Sequence, residues 1–166
     1  DEIFFKGQGA YLSGKFPWGL ISYMPPGGNA TSVAKVSGLK LDNYHPDGWG
    51  MQLEGVSDSW IEKSHFGGAN GLCIGKIALT NLGVSVRDCT FKGNIRTYPN
   101  GVGFACNMIG TVDTCKFYQW CTAFSGSRAI TFLGGRVEVN NTAMQFGWNP
   151  HGLPLQTSGI VLGPGF

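Results

Sequence analysis

The stretch Val86-Arg87-Asp88-Cys89-Thr90-Phe91 decides the fold, because its pattern returns about every 25 residues. The pattern is an aliphatic residue, two variable residues, a small residue, one variable residue and a large apolar residue. Further copies begin at Val36, Ile61 and Val112, and a degenerate copy begins at Phe132. A fixed period in this range predicts stacked repeats, each too small to bury its own apolar face alone.

Each repeat carries a second apolar stretch after a turn. These stretches are Trp49-Gly50-Met51, Leu72-Cys73-Ile74, Val102-Gly103-Phe104, Thr122-Ala123-Phe124 and Ala143-Met144-Gln145-Phe146. Short β-rich runs separated by Gly, Asn and Asp indicate strands and turns, and no segment holds a helical period. Strands stacked at a constant period wind into a parallel β-helix whose neighbouring coils lie about 4.8 Å apart.

Stacked coils place equivalent residues in columns inside the molecule. We expect two such columns of phenylalanines, the first of Phe66, Phe91 and Phe117 and the second of Phe104, Phe124 and Phe146. On the outside, Glu62, Arg87 and Asp113 align with alternating charge and predict ion pairs between coils, each worth about 0–1 kcal/mol if exposed.

The phrases Val86-Arg87-Asp88-Cys89-Thr90-Phe91-Lys92-Gly93 and Asn100-Gly101-Val102-Gly103-Phe104 resemble right-handed parallel β-helices of the pectate-lyase-like superfamily. The Gly-rich, aromatic-rich style is most similar to bacteriophage tailspikes and capsule depolymerases, over roughly residues 33–148. This resemblance implies an all-β, right-handed parallel β-helix of about five coils with irregular ends. It also implies carbohydrate ligands, a homotrimer, and a place on a virion tail or outside the cell.

The predicted organisation has three parts. Residues 1–32 form an irregular N-terminal coil or cap, residues 33–148 form the parallel β-helix, and residues 149–166 form an extended C-terminal segment rich in Pro and Gly. The open ends of such a stack expose strand edges, so they need caps or neighbours.

Composition excludes several classes of function. Charged residues make up 13% of the chain and the net charge is +2, which does not indicate a nucleic-acid partner. No apolar run reaches the length of a membrane span, so we expect no membrane insertion. Phosphate-loop, dinucleotide and RTX-type calcium motifs are absent, and no cofactor is predicted.

The five cysteines do not indicate a metal site. They include no C-x-x-C motif and no His at zinc-ligand spacing, so no metal is predicted. Cys89 and Cys115 hold the same repeat position, where buried free thiols would fill a small-residue slot. A disulfide between them is the alternative.

The residue between the small and the large position should face outward. This column reads Lys40, His65, Thr90, Lys116 and Arg136. One interpretation is a cationic stripe that binds an acidic polysaccharide. The other is ordinary solubilising charge, which also blocks edge aggregation.

Two long insertions suggest where a ligand could bind. Residues 42–47 and 94–100 are longer than the other equivalent connections and flank the short turn 67–70. Insertions in one connection project from one side of a stack, so we expect a groove with two walls and a small-residue floor. The alternative is that Asn, Asp and Pro merely build turns there.

The insertions contain residue types that suit a sugar chain. Tyr44 and Tyr98 can stack on sugar faces, and Arg96 can hold a carboxylate through two hydrogen bonds. Together with Lys40 and His65, these residues are the candidate substrate-binding set.

The sequence leaves the mechanism open. A glycoside hydrolase needs two carboxylates, for which Asp42 and Asp47 are the best pair. A polysaccharide lyase needs a base and a cation, for which His45, Arg96, Tyr98 and Lys40 are available. The candidate catalytic residues are therefore Asp42, Asp47 and His45. The alternative function is a non-catalytic structural or receptor-binding spike of a virion, with Trp60, Trp120 and Trp148 packing a trimer.

Overall fold

The strands follow from short runs of β-branched and aromatic residues between glycine-rich turns. The computed structural model describes residues 2–24, 32–76, 81–127, 129–138, 142–146 and 160–165. Within these ranges the chain is all-β, and no helix is present that could cross a membrane. The strands are β1 (Glu2–Gly14), β2 (Gly19–Tyr23), β3 (Val33–Asn43), β4 (Trp49–Leu53), β5 (Trp60–Glu62), β6 (His65–Gly68), β7 (Asn70–Ile74), β8 (Leu82–Arg87), β9 (Thr90–Gly93), β10 (Val102–Asn107), β11 (Ile109–Asp113), β12 (Cys115–Tyr118), β13 (Thr122–Ser127), β14 (Ile130–Glu138), β15 (Thr142–Phe146) and β16 (Ile160–Gly165).

These strands form two sheets with parallel pairing throughout the described chain. The larger sheet has the order β1-β3-β5-β8-β11-β14-β12-β9-β6, with β16 beside β14 and an additional pairing of β3 with β6. The smaller sheet has the order β15-β13-β10-β7-β4-β2. Each repeat thus contributes strands to both sheets, an arrangement consistent with a parallel β-helix.

The register of the larger sheet confirms the repeat. Val36 pairs with Ile61, Ile61 with Val86, Val86 with Val112, and Val112 with Phe132. These side chains are buried, so the repeated aliphatic position is a continuous column of the core.

The first phenylalanine column is also confirmed. Phe66 pairs with Phe91, and Phe91 pairs with Phe117. The three rings are fully buried and stacked, with centroid separations of 5.2 and 4.6 Å. Stacked aromatic pairs contribute about 0.5–1.5 kcal/mol beyond the area they bury.

The second column differs from the prediction at its last member. Phe104 pairs with Phe124, as expected, but Phe124 pairs with Met144. Phe146 lies two residues further along β15, opposite Gly126. The placement of Phe146 in this column was therefore wrong, because the register follows the spacing from the preceding turn and not the residue type.

Both ends of the stack extend the same ladders. β1 pairs with β3 and places Leu12 opposite Leu41, while β2 pairs with β4. At the other end, β16 pairs with β14 and places Leu162 opposite Phe132. The N-terminal part is therefore a further layer of strands. The predicted boundary between residues 148 and 149 lies outside the described residues.

Trp120 does not pack an outer surface. Its side chain is buried in the core, where its ring lies over Gly93 and Gly103 at positions that a side chain on either glycine would occupy. The expectation that Trp120 serves trimer packing was therefore wrong. Trp60 is half-buried, and Trp148 lies outside the described residues.

The cysteines are free thiols. Cys89 and Cys115 are both buried, and their thiols point at backbone carbonyls, with Cys89 Sγ 3.2 Å from Arg87 O and Cys115 Sγ 3.6 Å from Val86 O. Contact with the Cys115 thiol, followed by burial, raises the pKa of Cys89. These thiols fill small-residue slots and are poorly suited to act as nucleophiles.

A column of left-handed residues bends the larger sheet. Lys63, Asp88 and Thr114 each precede the small residue of their repeat, with φ of 49°, 52° and 49°. The equivalent positions in β1 and β3 are Gly9 and Gly38, with φ of 74° and 71°. This conformation costs a non-glycine residue about 1–2 kcal/mol of conformational free energy. The same bend therefore recurs in several layers although each layer without a glycine loses stability by adopting it.

The expected charge ladder is present across three layers. Glu62 pairs in register with Arg87, which pairs with Asp113. The Arg87 guanidinium lies 2.6 Å from the Glu62 carboxylate, measured from Nη2 to Oε2. Because Arg87 is half exposed, we expect Arg87→Ala to lower the free energy of unfolding by less than about 1 kcal/mol in urea titrations. A larger loss would show that the pair is shielded from water.

Candidate functional site

The first insertion begins later than the sequence indicated. Asp42 and Asn43 are the last residues of β3 and both are buried, so the exposed connection starts at Tyr44. The assignment of Asp42 to a loop wall was therefore wrong. The strand persists because Asp42 and Asn43 pair in register with Gly67 and Gly68 of the next layer.

Asn43 fixes the shape of this connection. Its Oδ1 accepts hydrogen bonds from the backbone amides of Phe16 and His45, both at 3.1 Å. Its Nδ2 lies 2.9 Å from three backbone carbonyl oxygens, those of Phe16, Trp18 and Trp49. One buried side-chain amide thus forms hydrogen bonds with three segments of backbone, those that contain Phe16, His45 and Trp49.

The two insertions rise from the same side, as predicted, but they meet each other. The Tyr98 hydroxyl donates a hydrogen bond of 3.0 Å to the carbonyl oxygen of Tyr44. Beneath them, the Asn70 amide donates to Pro46 O at 2.9 Å, and its oxygen accepts from the Val102 amide at 3.1 Å. The floor at residues 67–70 is buried. The two insertions therefore contact each other above a buried floor, and the groove predicted between them stays a prediction.

Asp42 and His65 come together on the outer face of the larger sheet. Asp42 pairs with Gly67, and a Cβ added to Gly67 would collide with Asp42 Oδ1. The missing side chain lets the carboxylate lie across the sheet, 3.7 Å from His65 Nε2. Gly67 is therefore needed for the approach of these two groups.

Tyrosine and lysine side chains surround this pair. We call this group of residues the Asp42–His65 cluster, because the charges or hydroxyl groups of its members act on the pair or on one another. Its members are Tyr11, Lys40, Asp42, Tyr44, His65, Lys92 and Tyr98. The Lys40 ammonium lies 4.8 Å from the centroid of the Tyr11 ring. A hydrogen bond with Tyr11, followed by burial and the charge of Asp42, raises the pKa of Tyr44 to about 12. Tyr44 is therefore a hydrogen-bond donor at neutral pH and not an anionic base.

His65 is neutral at pH 7. Burial lowers its pKa below the ordinary value, and the charges of Lys40 and Lys92 act in the same direction, whereas Asp42 opposes them. A neutral imidazole has a lone pair that can accept a proton. Because the pKa is lower in the folded state, the unfolded chain binds the proton first, and His65 reduces stability as pH falls through its unfolded value of about 6.5.

The opposing charges give a prediction for a titration of His65 followed by NMR. Asp42→Asn should lower the pKa of His65 further, because it removes the negative charge that raises it. Lys92→Gln should raise the pKa, because it removes a positive neighbour. His45 in the same spectra is the internal reference. Shifts of equal sign in the two variants would contradict the arrangement of charges around His65.

The other candidate catalytic residues lie in the exposed part of the first insertion. His45 Nδ1 accepts a hydrogen bond of 3.2 Å from the backbone amide of Asp47. This bond engages the Nδ1 lone pair with the backbone of the same connection. Asp47 is exposed, whereas Asp42 lies beside His65, so the two carboxylates occupy different surroundings.

Arg96 is exposed in the second insertion. The turn that carries it is closed by hydrogen bonds from the amides of Thr97 and Tyr98 to the carbonyl of Asn94, at 3.1 and 2.8 Å. Tyr98 belongs to the Asp42–His65 cluster, while Arg96 faces solvent two residues before it.

A groove runs beside the cluster at the bend of the sheet. It has a volume of about 330 Å³ and is lined by Gly9, Gly38, Leu39, Lys40, Lys63, Ser64, His65, Asp88 and Thr90. The lining includes the glycines Gly9 and Gly38 and the left-handed residues Lys63 and Asp88 of the bend. The Asp88 carboxylate accepts a hydrogen bond of 2.7 Å from Thr114 Oγ1, so it is held at this side.

The outward stripe is in register along its whole length. Lys40 pairs with His65, His65 with Thr90, Thr90 with Lys116, and Lys116 with Arg136. Arg136 forms an ion pair with Glu138 of its own strand. The cationic character of the stripe is therefore strongest at the lysine positions.

Three members of this region were missed in the sequence. Tyr11 occupies the same column as Lys40, but β1 has three residues between Lys6 and Ala10 where β3 has one between Ser37 and Leu39. The two extra residues hide this copy of the repeat. Lys92 could have been found, because it lies two residues after Thr90 and alternation places it on the same face. Lys63 carried no signal, since its left-handed conformation is invisible in the sequence.

Within the described ranges, His, Cys, Asp and Glu side chains do not gather in groups of three that could hold a metal ion. Comparisons with protein-family models, with curated proteins and with solved structures found no match for this chain.

Proposed function

We propose that this chain is a right-handed parallel β-helix domain that binds an acidic polysaccharide along its outward stripe. The observation that carries the proposal is the alignment of Lys40 and His65 in one column, beside a groove of about 330 Å³. Crossovers between parallel strands of one sheet are almost always right-handed, which supports the proposed hand. The proposed setting is a tailspike-like or secreted protein, on a virion tail or outside the cell, acting as a homotrimer.

The charges around the groove favour an anionic ligand. Lys40 and Lys63 line the groove together with the carboxylate of Asp88, and Lys92 lies close enough to His65 to lower its pKa, so ammonium groups outnumber carboxylates there. Lys40 and Lys116 of the column, with Lys63 and Lys92 beside it, place cations at several layers of the stack, which suits a polymer that carries carboxylates. The tyrosines add flat faces with wet hydroxyls, which suit sugar rings.

If the bound polymer is cleaved, elimination fits the cluster better than hydrolysis. An elimination breaks a ring C–H bond and the glycosidic C–O bond, so it needs a group that accepts the ring proton, cations that neutralise the uronate carboxylate, and a donor that protonates the departing oxygen. Neutral His65 and the ammonium groups of Lys40 and Lys92 have these properties. Hydrolysis would need a second carboxylate opposite Asp42, and exposed Asp47 is the remaining candidate from the sequence.

The test is incubation of the purified chain with uronate-containing and neutral bacterial polysaccharides. Binding is measured by calorimetry, cleavage by the release of reducing ends, and elimination by the ultraviolet absorbance of an unsaturated product. We expect binding of the acidic polymers, weakened by salt. Equal binding of neutral polymers would contradict the proposed role of the cationic column.

Substitutions in the cluster should weaken this binding without unfolding the chain. The Lys40→Ala and Lys92→Ala double variant should lose about tenfold in affinity, corresponding to about 1.4 kcal/mol. Tyr98→Ala should weaken binding as well, since it removes a ring and the bridge to Tyr44. A loss of affinity in Arg96→Ala would show that the second insertion contacts the polymer.

The matched control is Lys6→Ala, which removes an exposed lysine from the part of β1 that precedes the bend. We expect its affinity to stay unchanged, and we expect all variants to keep their melting temperature within a few degrees. An equal loss in Lys6→Ala would show that overall charge, and not the column, determines binding.

The second candidate is a non-catalytic spike or receptor-binding peg. Exposed apolar side chains on the N-terminal layer favour it, among them Phe4, Leu12 and Phe16. Patches of this kind mark contact surfaces. The absence of binding to every polysaccharide of the panel would make this candidate the better one.

A further inference from the structure

His65 lies where the outward column meets the groove. It pairs with Lys40 on one side and with Thr90 on the other, and all three residues line the groove. The His65 side chain is 28% exposed, so its imidazole can be contacted from the groove. A ligand group that enters the groove therefore meets this ring together with Lys40.

The nearest carboxylate acts on the ring without a hydrogen bond. Asp42 Oδ1 lies 3.7 Å from His65 Nε2, beyond the range of about 2.7–3.2 Å for a hydrogen bond. Asp42 therefore influences the ring through its charge. A ligand carboxylate in the groove can approach a protonated ring more closely and accept a charge-assisted hydrogen bond from it.

Charged and titratable groups face His65 from each neighbouring segment. Lys40 and Asp42 lie on β3, and Lys92 lies on β9 two residues after Thr90. The bend contributes Lys63 and Asp88 to the lining of the same groove. The hydroxyl groups of the cluster complete these surroundings, and they belong to Tyr11, Tyr44 and Tyr98. Three ammonium groups and two carboxylates thus lie around a neutral ring.

A bound carboxylate would change the balance of these charges. In the free chain, burial lowers the pKa of His65, Asp42 opposes this effect, and Lys40 and Lys92 add to it. An anion in the groove adds negative charge and offsets the ammonium groups, and both effects favour the protonated ring. Because linkage is reciprocal, a ligand that favours protonation is also bound more tightly by the protonated chain.

We propose that His65 couples the binding of the acidic polymer to proton uptake: a ligand carboxylate in the groove draws a proton from solvent onto the neutral imidazole. The ring lone pair forms the new N–H bond, and the resulting imidazolium donates a hydrogen bond to that carboxylate. The affinity therefore increases as pH falls below neutrality. This inference rests on the function proposed above, since it concerns the same groove.

The test is isothermal titration calorimetry of the whole chain with oligomers of polygalacturonate, alginate and hyaluronate. Titrations at constant ionic strength, at about pH 7.5 and about pH 5.5, lie on either side of the ordinary histidine pKa. Two buffers of different ionisation enthalpy give the number of protons taken up. We expect the affinity for at least one oligomer to rise about tenfold at the lower pH, which corresponds to raising the pKa of His65 by about one unit.

The controls separate His65 from other effects of pH. His65→Gln should lose the pH dependence and the proton uptake. His45→Gln removes another imidazole and should keep both, whatever its affinity at neutral pH. Methyl-esterified polygalacturonate has the same chain without the charges, so its affinity should be equal at the two pH values. Near-ultraviolet circular dichroism shows whether each variant is folded at both pH values.

A titration of His65 by NMR, with and without a bound oligomer, measures the coupling in the unaltered chain. Three results would overturn the proposal: equal affinity at the two pH values, pH dependence retained in folded His65→Gln, or an unchanged pKa of His65 on binding. Each of these leaves the proposed function intact, because the acidic oligomers still bind. No binding of any acidic oligomer at either pH would overturn both proposals.

Discussion

Replacing Phe91 with alanine is expected to lower the free energy of unfolding by about 3–5 kcal/mol, the range for buried aromatic truncations. The ring is fully buried at the centre of the column, with ring centroids of Phe66, Phe117 and Phe104 at 5.2, 4.6 and 5.8 Å. Its removal leaves a cavity that touches three layers. These layers are held by the parallel ladder and cannot collapse into it without breaking register.

The measurement is equilibrium unfolding in urea, with the slope compared between variants. Phe16→Ala is the matched control, because it deletes the same ring from a site that is 55% exposed. We expect the control to change the free energy of unfolding by less than about 0.5 kcal/mol. A loss under about 1 kcal/mol for Phe91→Ala would show that the column is not tightly packed.

Replacing Asn43 with alanine is expected to cost about 2–4 kcal/mol, which corresponds to one or two buried polar groups left without partners. Asn43 is fully buried, and its amide contacts five backbone groups, two amides through Oδ1 and three carbonyls through Nδ2. The substitution should also release the connection that carries Tyr44, because the backbone amide of His45 loses the Asn43 Oδ1 acceptor.

Hydrogen exchange measures this second effect. The amides of Phe16 and His45 should exchange faster in Asn43→Ala, while amides in β9 and β12 should lose protection only as far as global stability falls. Asn94→Ala is the control, since Asn94 is an exposed turn residue whose Oδ1 accepts from the Thr97 amide at 3.2 Å. Equal effects of the two variants would contradict the role assigned to Asn43.

Several features of this chain were predictable because they depend only on spacing along the sequence. The period placed the columns beginning at Val36 and at Phe66, and the tertiary structure confirmed both. Alternation placed Lys40 and His65 on the outer face of the same column. In a parallel stack, each repeat pairs with its neighbours in the same register. The positions that recur along the sequence are therefore the positions that contact each other between layers.

The errors have a common physical origin. Phe146 was placed by residue type, yet hydrogen-bond register puts Met144 opposite Phe124. Tyr11 was overlooked because two extra residues in β1 shift the pattern. A one-residue or two-residue change in a strand alters every pairing after it, and the sequence does not mark where the ladder absorbs the change.

By itself, the sequence determined the all-β character, the repeat, the core columns that begin at Val36 and Phe66, and the outward row that contains Lys40 and His65. Only the tertiary structure decided which of those residues meet. The Tyr98 hydroxyl closes over Tyr44, and Asp42 reaches His65 because Gly67 has no side chain to block it. Contacts of this kind depend on side-chain directions and on loop closure between distant segments, such as those of Tyr44 and Tyr98, which are 54 residues apart. The periodicity of the repeat does not encode these contacts, so only the tertiary structure shows which residues of the site meet.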